Sequence, residues 1–321
     1  YYCTEVKIYI TNCRKPFVKA EKAVKQVFDT EAQEIQEISE GLKHETYRAT
    51  VDGKDYIIQF SGDEYDDHAS LKHCLNMYEL LSDTVKVPQA VTREVQEING
   101  QKYTVVEKLE GESGEKNISP EKTRKAGKEL AKIHNHTTLE KEGWIEFTSE
   151  GLEIVEFEEG NLKNHYLTEL EGKLEILREE GLEELADKVQ NFIEKRKEDW
   201  PENFTPVICH DDFTPEKTIY LYGEVNGISE MDNAFSGLDT RNIVKAANSF
   251  WMHDPVKDWP REKFYKGYSE ERPLPENFSE LEELFRVETL VQLVASLIDM
   301  EVLSEDQIEF YEERILEEKL I

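Results

Sequence analysis

The sequence predicts an α+β protein with two lobes, an antiparallel β-sheet lobe followed by a mostly helical lobe. The early part of the chain alternates apolar and polar residues, and the Asp52-Gly53 dipeptide between two such segments is typical of a tight β-hairpin. Beyond Gly111 the apolar residues recur at helical spacing instead. We therefore divide the chain into a β-rich lobe, residues 1–110, and a helical lobe, residues 111–321.

The first lobe is predicted to begin with a helix over residues 16–38, because its apolar side chains lie three or four positions apart. These are Val18, Ala20, Val24, Val27, Phe28, Ile35 and Ile38. Two strands, a helix and two more strands are expected to follow. Their segments are 44–51, 54–62, a helix within 66–83, a strand opening at Val87-Pro88, and a last strand at 101–111.

The second lobe is predicted to contain helices and one small β-hairpin. Ser119-Pro120 begins a helix well, since serine caps the first turn and proline suits the first helical position. A long amphipathic segment is expected over roughly 163–198. The hairpin pairs residues 217–222 with 225–229 across Gly223, and the remainder of the chain is expected to be helical.

The charge balance restricts the possible partners. The chain has 39 Lys and Arg against 70 Asp and Glu, a formal net charge of −31. Such a field opposes binding to nucleic acid or to an anionic membrane, although a local basic pocket for a phosphate is compatible with it. The acid excess suits a protein in high salt, where the screening length falls to ~3 Å at 1 M. An ordinary acidic protein is the alternative, because lysine is still plentiful.

Cysteine usage and hydropathy predict a cytoplasmic protein. Four scattered cysteines do not make a disulfide framework, and without a CxxC pair no zinc site is expected. No apolar run approaches the roughly 18 residues of a membrane span. The first residues also lack the basic and apolar regions of a signal peptide.

Two motifs in the second lobe carry a family resemblance. "HDDFTPEK", residues 210–217, matches a pattern of His, any residue and Asp, followed by a Pro-containing loop with Asn five positions after the Asp. The second motif is "GISEMDNA", residues 227–234, at the place where the family named below has a magnesium-binding Asp. With "AGKELAKIH" and "VVEKLEG" in support, the chain resembles the aminoglycoside phosphotransferase and choline kinase family over roughly residues 36–300.

The resemblance implies a protein-kinase-like fold that transfers the γ-phosphate of ATP to a hydroxyl group of a small metabolite or an aminoglycoside-like compound. A nucleotide with magnesium would bind in the crevice between the lobes. Asp212 would be the catalytic base for the hydroxyl proton. The ring of His210 would hold the loop backbone, and Glu230 with Asp232 would bind the metal.

The resemblance also implies nucleotide contacts. Backbone groups from Glu107 to Leu109 would meet the adenine edge, and a loop around Gly41 would approach the phosphates, since glycine has no Cβ. Gln59 and Lys217 occupy positions that normally contact phosphate or metal. The acidity of the helical lobe would suit a cationic substrate such as an aminosugar or an amino alcohol.

Four positions depart from the family pattern. Gln59 replaces the lysine that reaches the phosphates, and the acid that pairs with this lysine falls near Lys72 or His73. Lys217 replaces the metal-binding Asn, and Glu230 replaces the metal-binding Asp. Because phosphoryl transfer depends on positioning and electrostatics, two hypotheses stay open. One is a divergent, active small-molecule kinase; the other is a catalytically silent kinase-like module that binds nucleotide or a protein partner.

Other conspicuous side chains are expected to serve packing. His134 ends a helix on its apolar side, and Cys209 precedes the motif as a small hydrophobic residue. The aromatic residues around Trp251 are expected to belong to the core rather than to a pocket.

Overall fold

The computed structural model describes residues 15–40, 44–62, 71–253, 255 and 258–317. Its contacts form two compact units. One runs to Leu75 and resumes over Pro88–Lys108, and the other comprises Asn76–Val87 and the chain from Leu109 onward. The predicted fold class, an antiparallel sheet lobe and a mostly helical lobe, is confirmed. Within the described residues, no helix is long and apolar enough to cross a membrane.

The first unit is built on a five-stranded antiparallel sheet in the order β1-β2-β3-β5-β4. Its elements are α1 (Lys15–Phe28), β1 (Glu34–Glu40), β2 (His44–Val51), β3 (Lys54–Ser61), β4 (Gln96–Ile98) and β5 (Gln101–Glu107). Helix α1 packs Ala20 and Val24 into one core with Tyr47, Ile58 and Phe60. Because side chains alternate along a strand, Gln59, between Ile58 and Phe60, faces away from α1.

The predicted helix over residues 16–38 is wrong in its second half. Helix α1 ends at Phe28, and residues 34–40 form β1, paired with β2. The register shifts between Glu37 and Ser39, which is a β-bulge. Ile38 is the extra residue of this bulge and is 52% exposed, so its distance of three residues from Ile35 imitates helical spacing although the two side chains do not share a buried face.

The strand expected to open at Val87-Pro88 is also wrong. Only an isolated bridge joins Ala90 to Val106, and the short strand in this part of the chain is β4. Proline has no N–H for a strand ladder, which fits the irregular backbone here. The last strand of the sheet, β5, ends at Glu107 rather than at Gly111.

The second unit combines helices with two small sheets. After α2 (Leu71–Leu81), which begins in the first unit, its helices are α3 (Pro120–Asn135), α4 (Leu162–Glu179), α5 (Glu183–Arg196), α6 (Asp239–Met252), α7 (Trp259–Glu271), α8 (Phe278–Asp299) and α9 (Glu305–Glu317). Its strands are β6 (Glu112–Ser113), β7 (Gly143–Thr148), β8 (Gly151–Val155), β9 (Val207–Cys209), β10 (Thr218–Leu221), β11 (Glu224–Ile228) and β12 (Phe235–Gly237).

Two features of this unit correct the sequence prediction. The expectation of one hairpin misses a four-stranded sheet in the order β8-β7-β12-β9, in addition to the sheet β11-β10-β6. The long helix over 163–198 is divided into α4 and α5 at Gly181, whose φ of 82° lies in the left-handed region. Glycine adopts this conformation without the penalty that a Cβ brings, so the chain turns there.

Candidate active site

Hydrogen bonds join the loop at the start of β10 to the loop at the end of β11. The carbonyl oxygen of Lys217 accepts hydrogen bonds from the Ser229 backbone N–H at 3.0 Å and from the Ser229 hydroxyl at 3.3 Å. Lys217 directly precedes β10, and Ser229 directly follows β11. The two loops that carry the sequence motifs are therefore fixed side by side, which brings Lys217 next to Glu230.

His210 connects these loops from within. Its ring is fully buried, the Nε2–H donates to the Ser229 carbonyl at 3.3 Å, and Nδ1 accepts from the Asp212 backbone N–H at 3.3 Å. Burial lowers the pKa of His210, so the ring is neutral. One neutral imidazole thus holds the backbone of Asp212 and the residue before Glu230.

Three charged side chains meet at this point. The ammonium of Lys217 forms an ion pair with Glu230 and lies 3.8 Å from an oxygen of Asp212. The side chains of Asp212 and Glu230 are 37% and 35% exposed, so small molecules can reach both carboxylates. Glu230 adopts a left-handed backbone conformation, φ 58°, and its N–H donates to the Tyr78 hydroxyl at 2.8 Å. Such a conformation costs a residue with a Cβ about 1–2 kcal/mol.

Asp232, the second predicted metal ligand, is buried, with 5% of its surface exposed. Among the residues that the structure describes, no group of three or more His, Cys, Asp or Glu side chains is arranged to hold a metal ion. Any magnesium here would therefore need oxygen ligands from a bound nucleotide in addition to the protein carboxylates, which is how this ion usually binds.

A buried network on the opposite side of the loop was not predicted from the sequence. Asp211 also has a left-handed backbone, φ 58°, and its carboxylate binds Arg241 at 3.1 Å and Lys245 at 2.8 Å. Arg241 in turn donates to both oxygens of Glu288. Burial alone would raise the pKa of Asp211, but Lys245 and Arg241 outweigh it and lower the pKa. Asp211 is therefore ionised and anchors the loop to α6.

His134 belongs to a second buried chain of hydrogen bonds. Its Nε2 donates to the Asn242 side-chain oxygen at 3.0 Å, and its Nδ1 accepts from the Tyr268 hydroxyl at 2.8 Å. Burial lowers the pKa of His134 to about 4. The same Asn242 oxygen accepts from the backbone N–H of His210 at 3.3 Å. His134 is buried as expected, but it also supports the loop through Asn242.

One sequence signal pointed to the first network. Glu288 is a single acid within the apolar segment "VETLVQLV" of α8, and a buried acid requires a partner. Nothing in the local sequence identified that partner, because Arg241 lies on α6, 47 residues earlier.

The predicted nucleotide residues fall in several places. Gln59 is buried in β3, the middle strand of its sheet, and Glu107 ends β5 with its carboxylate paired to Lys54. Leu109 belongs to the second unit, where its side chain lies against Gly227. Gly41 lies outside the described residues.

The helix expected to supply a partner acid is α2. Lys72 pairs with Glu94 at 2.5 Å, and His73 is buried. Neither Lys72 nor His73 carries the carboxylate that the family pattern has in this region. Both members of that lysine–acid ion pair are therefore replaced, since Gln59 stands in place of the lysine.

An antiparallel sheet unit followed by a mostly helical unit is a kinase-like fold, and comparison with known families identifies the class of protein. The model of a phosphotransferase enzyme family (APH) matches residues 34–228, more than half of the chain. The chain therefore belongs to this family. A comparison with curated protein sequences found no significant match.

Solved structures show the same fold at low sequence identity. The aminoglycoside phosphotransferase APH(4)-Ia is 13% identical, with a TM-score of 0.66 over 92% of this chain and 96% of that one. An aminoglycoside 2′-phosphotransferase-IIIa variant in complex with GDP is 16% identical, with a TM-score of 0.63 over 94% and 96%. Spectinomycin phosphotransferase APH(9)-Ia, in complex with ADP and spectinomycin, is 14% identical, with a TM-score of 0.56 over 94% and 93%.

Proposed function

We propose that this chain is a nucleotide-dependent small-molecule kinase that transfers the γ-phosphate of ATP to a hydroxyl group. The observation that carries the proposal is the placement of Asp212 beside Lys217 and Glu230 on two fastened loops. A reactive carboxylate and a cation at one accessible point are what phosphoryl transfer to a hydroxyl requires.

In this mechanism Asp212 receives the proton of the substrate hydroxyl. The hydroxyl oxygen forms a bond to the γ-phosphorus, and the bond from that phosphorus to the bridging oxygen breaks, leaving its electron pair on the nucleoside diphosphate. The His210 ring orients Asp212 through its backbone N–H. Because the backbone that carries the carboxylate is already held, less freedom is lost when the substrate binds, and such positioning contributes to the rate.

Magnesium fits part of the donor set. Glu230 and Asp232 offer the hard oxygen ligands that this ion prefers, and the phosphates of a nucleotide would supply others. Bound there, the ion would neutralise charge on the phosphates. Lys217 contacts Glu230 but has no lone pair to offer a metal while it is protonated.

The nucleotide and the substrate class are supported by relatives. An APH(4)-Ia variant was solved with AMP-PNP and hygromycin B, the 2′-phosphotransferase-IIIa variant with GDP, and spectinomycin phosphotransferase with ADP. We therefore propose a purine nucleoside triphosphate as donor and a polar, hydroxyl-bearing small molecule as acceptor. The nucleotide contacts at Gly41, Gln59, Glu107 and Leu109 stay predictions.

A thermal-shift titration tests nucleotide binding. Melting temperature is measured with increasing ATP or GTP, with and without magnesium, and a magnesium-dependent rise is expected for at least one of them. No response to either nucleotide at any concentration would refute the proposed kinase. Binding without turnover of any acceptor would instead favour a silent nucleotide-binding module.

Turnover is then measured over a panel of amino alcohols, sugars and aminoglycosides, at low and high salt. Asp212→Asn is expected to abolish phosphorylation of any accepted compound while leaving nucleotide binding intact. Asp187→Asn removes a carboxylate from the surface of α5 and is the matched control. Activity that persists in Asp212→Asn would contradict the role assigned to Asp212.

A further inference from the structure

Lys217 already places a positive charge between the two accessible carboxylates of the candidate site. Its ammonium pairs with Glu230 and lies 3.8 Å from Asp212, while its backbone oxygen is fastened to Ser229. The side chain is 21% exposed, so it is partly withdrawn from solvent. Lys217 is thus held at its backbone by Ser229 and at its ammonium by the two carboxylates.

The ammonium of Lys217 differs chemically from the carboxamide of the Asn that the family pattern has at this position. A carboxamide oxygen ligates a divalent cation, whereas an ammonium repels it and donates hydrogen bonds instead. The same ammonium binds phosphate oxygens well as a point charge. Where the family has an amide that ligates the metal, this chain therefore has a positive charge beside Asp212 and Glu230.

We propose that the Lys217 ammonium replaces one of the two divalent cations of kinase-type phosphoryl transfer, so that the nucleotide complex of this chain holds a single metal ion. The inference rests on the proposed function. Lys217 takes no part in bond making or breaking, and its ammonium neutralises charge on the phosphates. The remaining ion would be held by Asp232, by the Glu230 oxygen that does not pair with Lys217, and by nucleotide oxygens.

Metal stoichiometry tests this directly, without relying on turnover. Manganese binding is measured by electron paramagnetic resonance in the presence and absence of AMP-PNP, and the nucleotide-dependent ions are counted. Subtracting the nucleotide-free sample is essential here, because a chain of net charge −31 attracts divalent cations to its surface. The wild type is expected to bind one nucleotide-dependent ion per chain.

Lys217→Asn restores an amide oxygen and removes the tethered charge, and it is expected to bind two nucleotide-dependent ions. Lys86→Asn makes the same chemical change at a lysine that contacts Asn226 on β11, and it is expected to retain the count of one. Circular dichroism and melting temperature establish that each variant is folded. If Lys217→Asn does not fold, Lys217→Gln supplies an amide of different length.

Two ions in the wild type would overturn the inference while leaving the kinase proposal intact. A count of one in a folded Lys217→Asn that still binds AMP-PNP would overturn it as well, because Lys217 would then not be what excludes the second ion. If AMP-PNP and GTP bind to no variant and not to the wild type, the proposed function itself fails, and the inference with it.

Discussion

Arg241 and Glu288 form a doubly hydrogen-bonded ion pair in the interior of the second unit. Nε and Nη2 of the guanidinium each donate to one carboxylate oxygen at 2.9 Å, and both side chains are 1% exposed. Asp211, next to the candidate base Asp212, binds the third guanidinium nitrogen. The conformation of the loop therefore depends on a pair formed between α6 and α8.

We expect Glu288→Ala to lower the free energy of unfolding by about 3 kcal/mol, because a buried guanidinium loses both carboxylate oxygens that accept its hydrogen bonds. The loss stays at the lower end of the range for broken buried pairs, since Asp211 and Gln292 still accept from Arg241. Urea unfolding followed by circular dichroism measures it. Glu184→Gln, which breaks an exposed pair with Lys188, is the control and is expected to change nothing measurable. Equal effects in the two variants would contradict the structural role of Glu288.

The pair between Glu216 and His253 predicts a pH window of stabilisation. Burial opposes the charge of Glu216, but His253 at 2.9 Å lowers its pKa from 4.5 to about 2. Burial likewise opposes the charge of His253, but Glu216 raises its pKa above 6.5. The lowered acid contributes stability above its ordinary pKa and loses it as the pH falls towards 2. The raised histidine contributes fully below its ordinary pKa and loses the contribution as the pH rises through the raised value.

The difference in stability between the wild type and Glu216→Gln is therefore expected to be largest between pH 4.5 and 6.5, the ordinary pKa values of the two groups. It should shrink on both sides of that window. Urea unfolding at a series of pH values measures the difference at constant ionic strength. A difference that does not change with pH would show that the pair contributes no charge-dependent stability.

Asn242 is buried, and we expect its side chain to position the candidate loop of residues 210–217. Its side-chain oxygen accepts from the His134 ring and from the His210 backbone, so Asn242→Ala leaves two buried donors without this acceptor. The expected loss is about 1–3 kcal/mol in the free energy of unfolding. If the chain is a kinase, kcat should fall more than KM rises. Asn226→Ala, at a half-buried residue on β11 whose side chain contacts Lys86 and the Glu110 carbonyl, is the control; equal kinetics in both variants would exclude a positioning role.

The sequence predicts those features that depend on neighbouring residues. Asp52 and Gly53 both have positive φ, 51° and 76°, as the hairpin dipeptide requires. The spacing within "HDDFTPEK" likewise identified His210, Asp212 and Lys217 as one loop. Each of these signals lies within a few residues of chain, where local geometry and composition are strongly coupled.

The features that were missed depend on distant contacts or on local irregularity. Arg241 and Glu288 are 47 residues apart, so only the tertiary fold makes them partners. In β1 the exposed Ile38 falls at the bulge, three residues after Ile35, and this spacing made a strand look like a helix. Propensity and periodicity describe regular elements, so they predict neither a contact between distant residues nor a β-bulge.

At Gly267 the backbone of α7 lies directly against the backbone of α3. A Cβ built there would overlap the backbone carbonyl of Arg124, which cannot move aside as a flexible side chain would. Gly267→Ala is therefore expected to lower the free energy of unfolding by about 1–3 kcal/mol through overpacking, even though alanine is the better helix former. Gly172 in α4 offers a matched control, because a Cβ there meets no atom within 4 Å. Gly172→Ala should raise the free energy of unfolding by about 0.4–1 kcal/mol. Urea unfolding of the two variants should thus give shifts of opposite sign, and a stabilised Gly267→Ala would show that the two helices do not pack this closely.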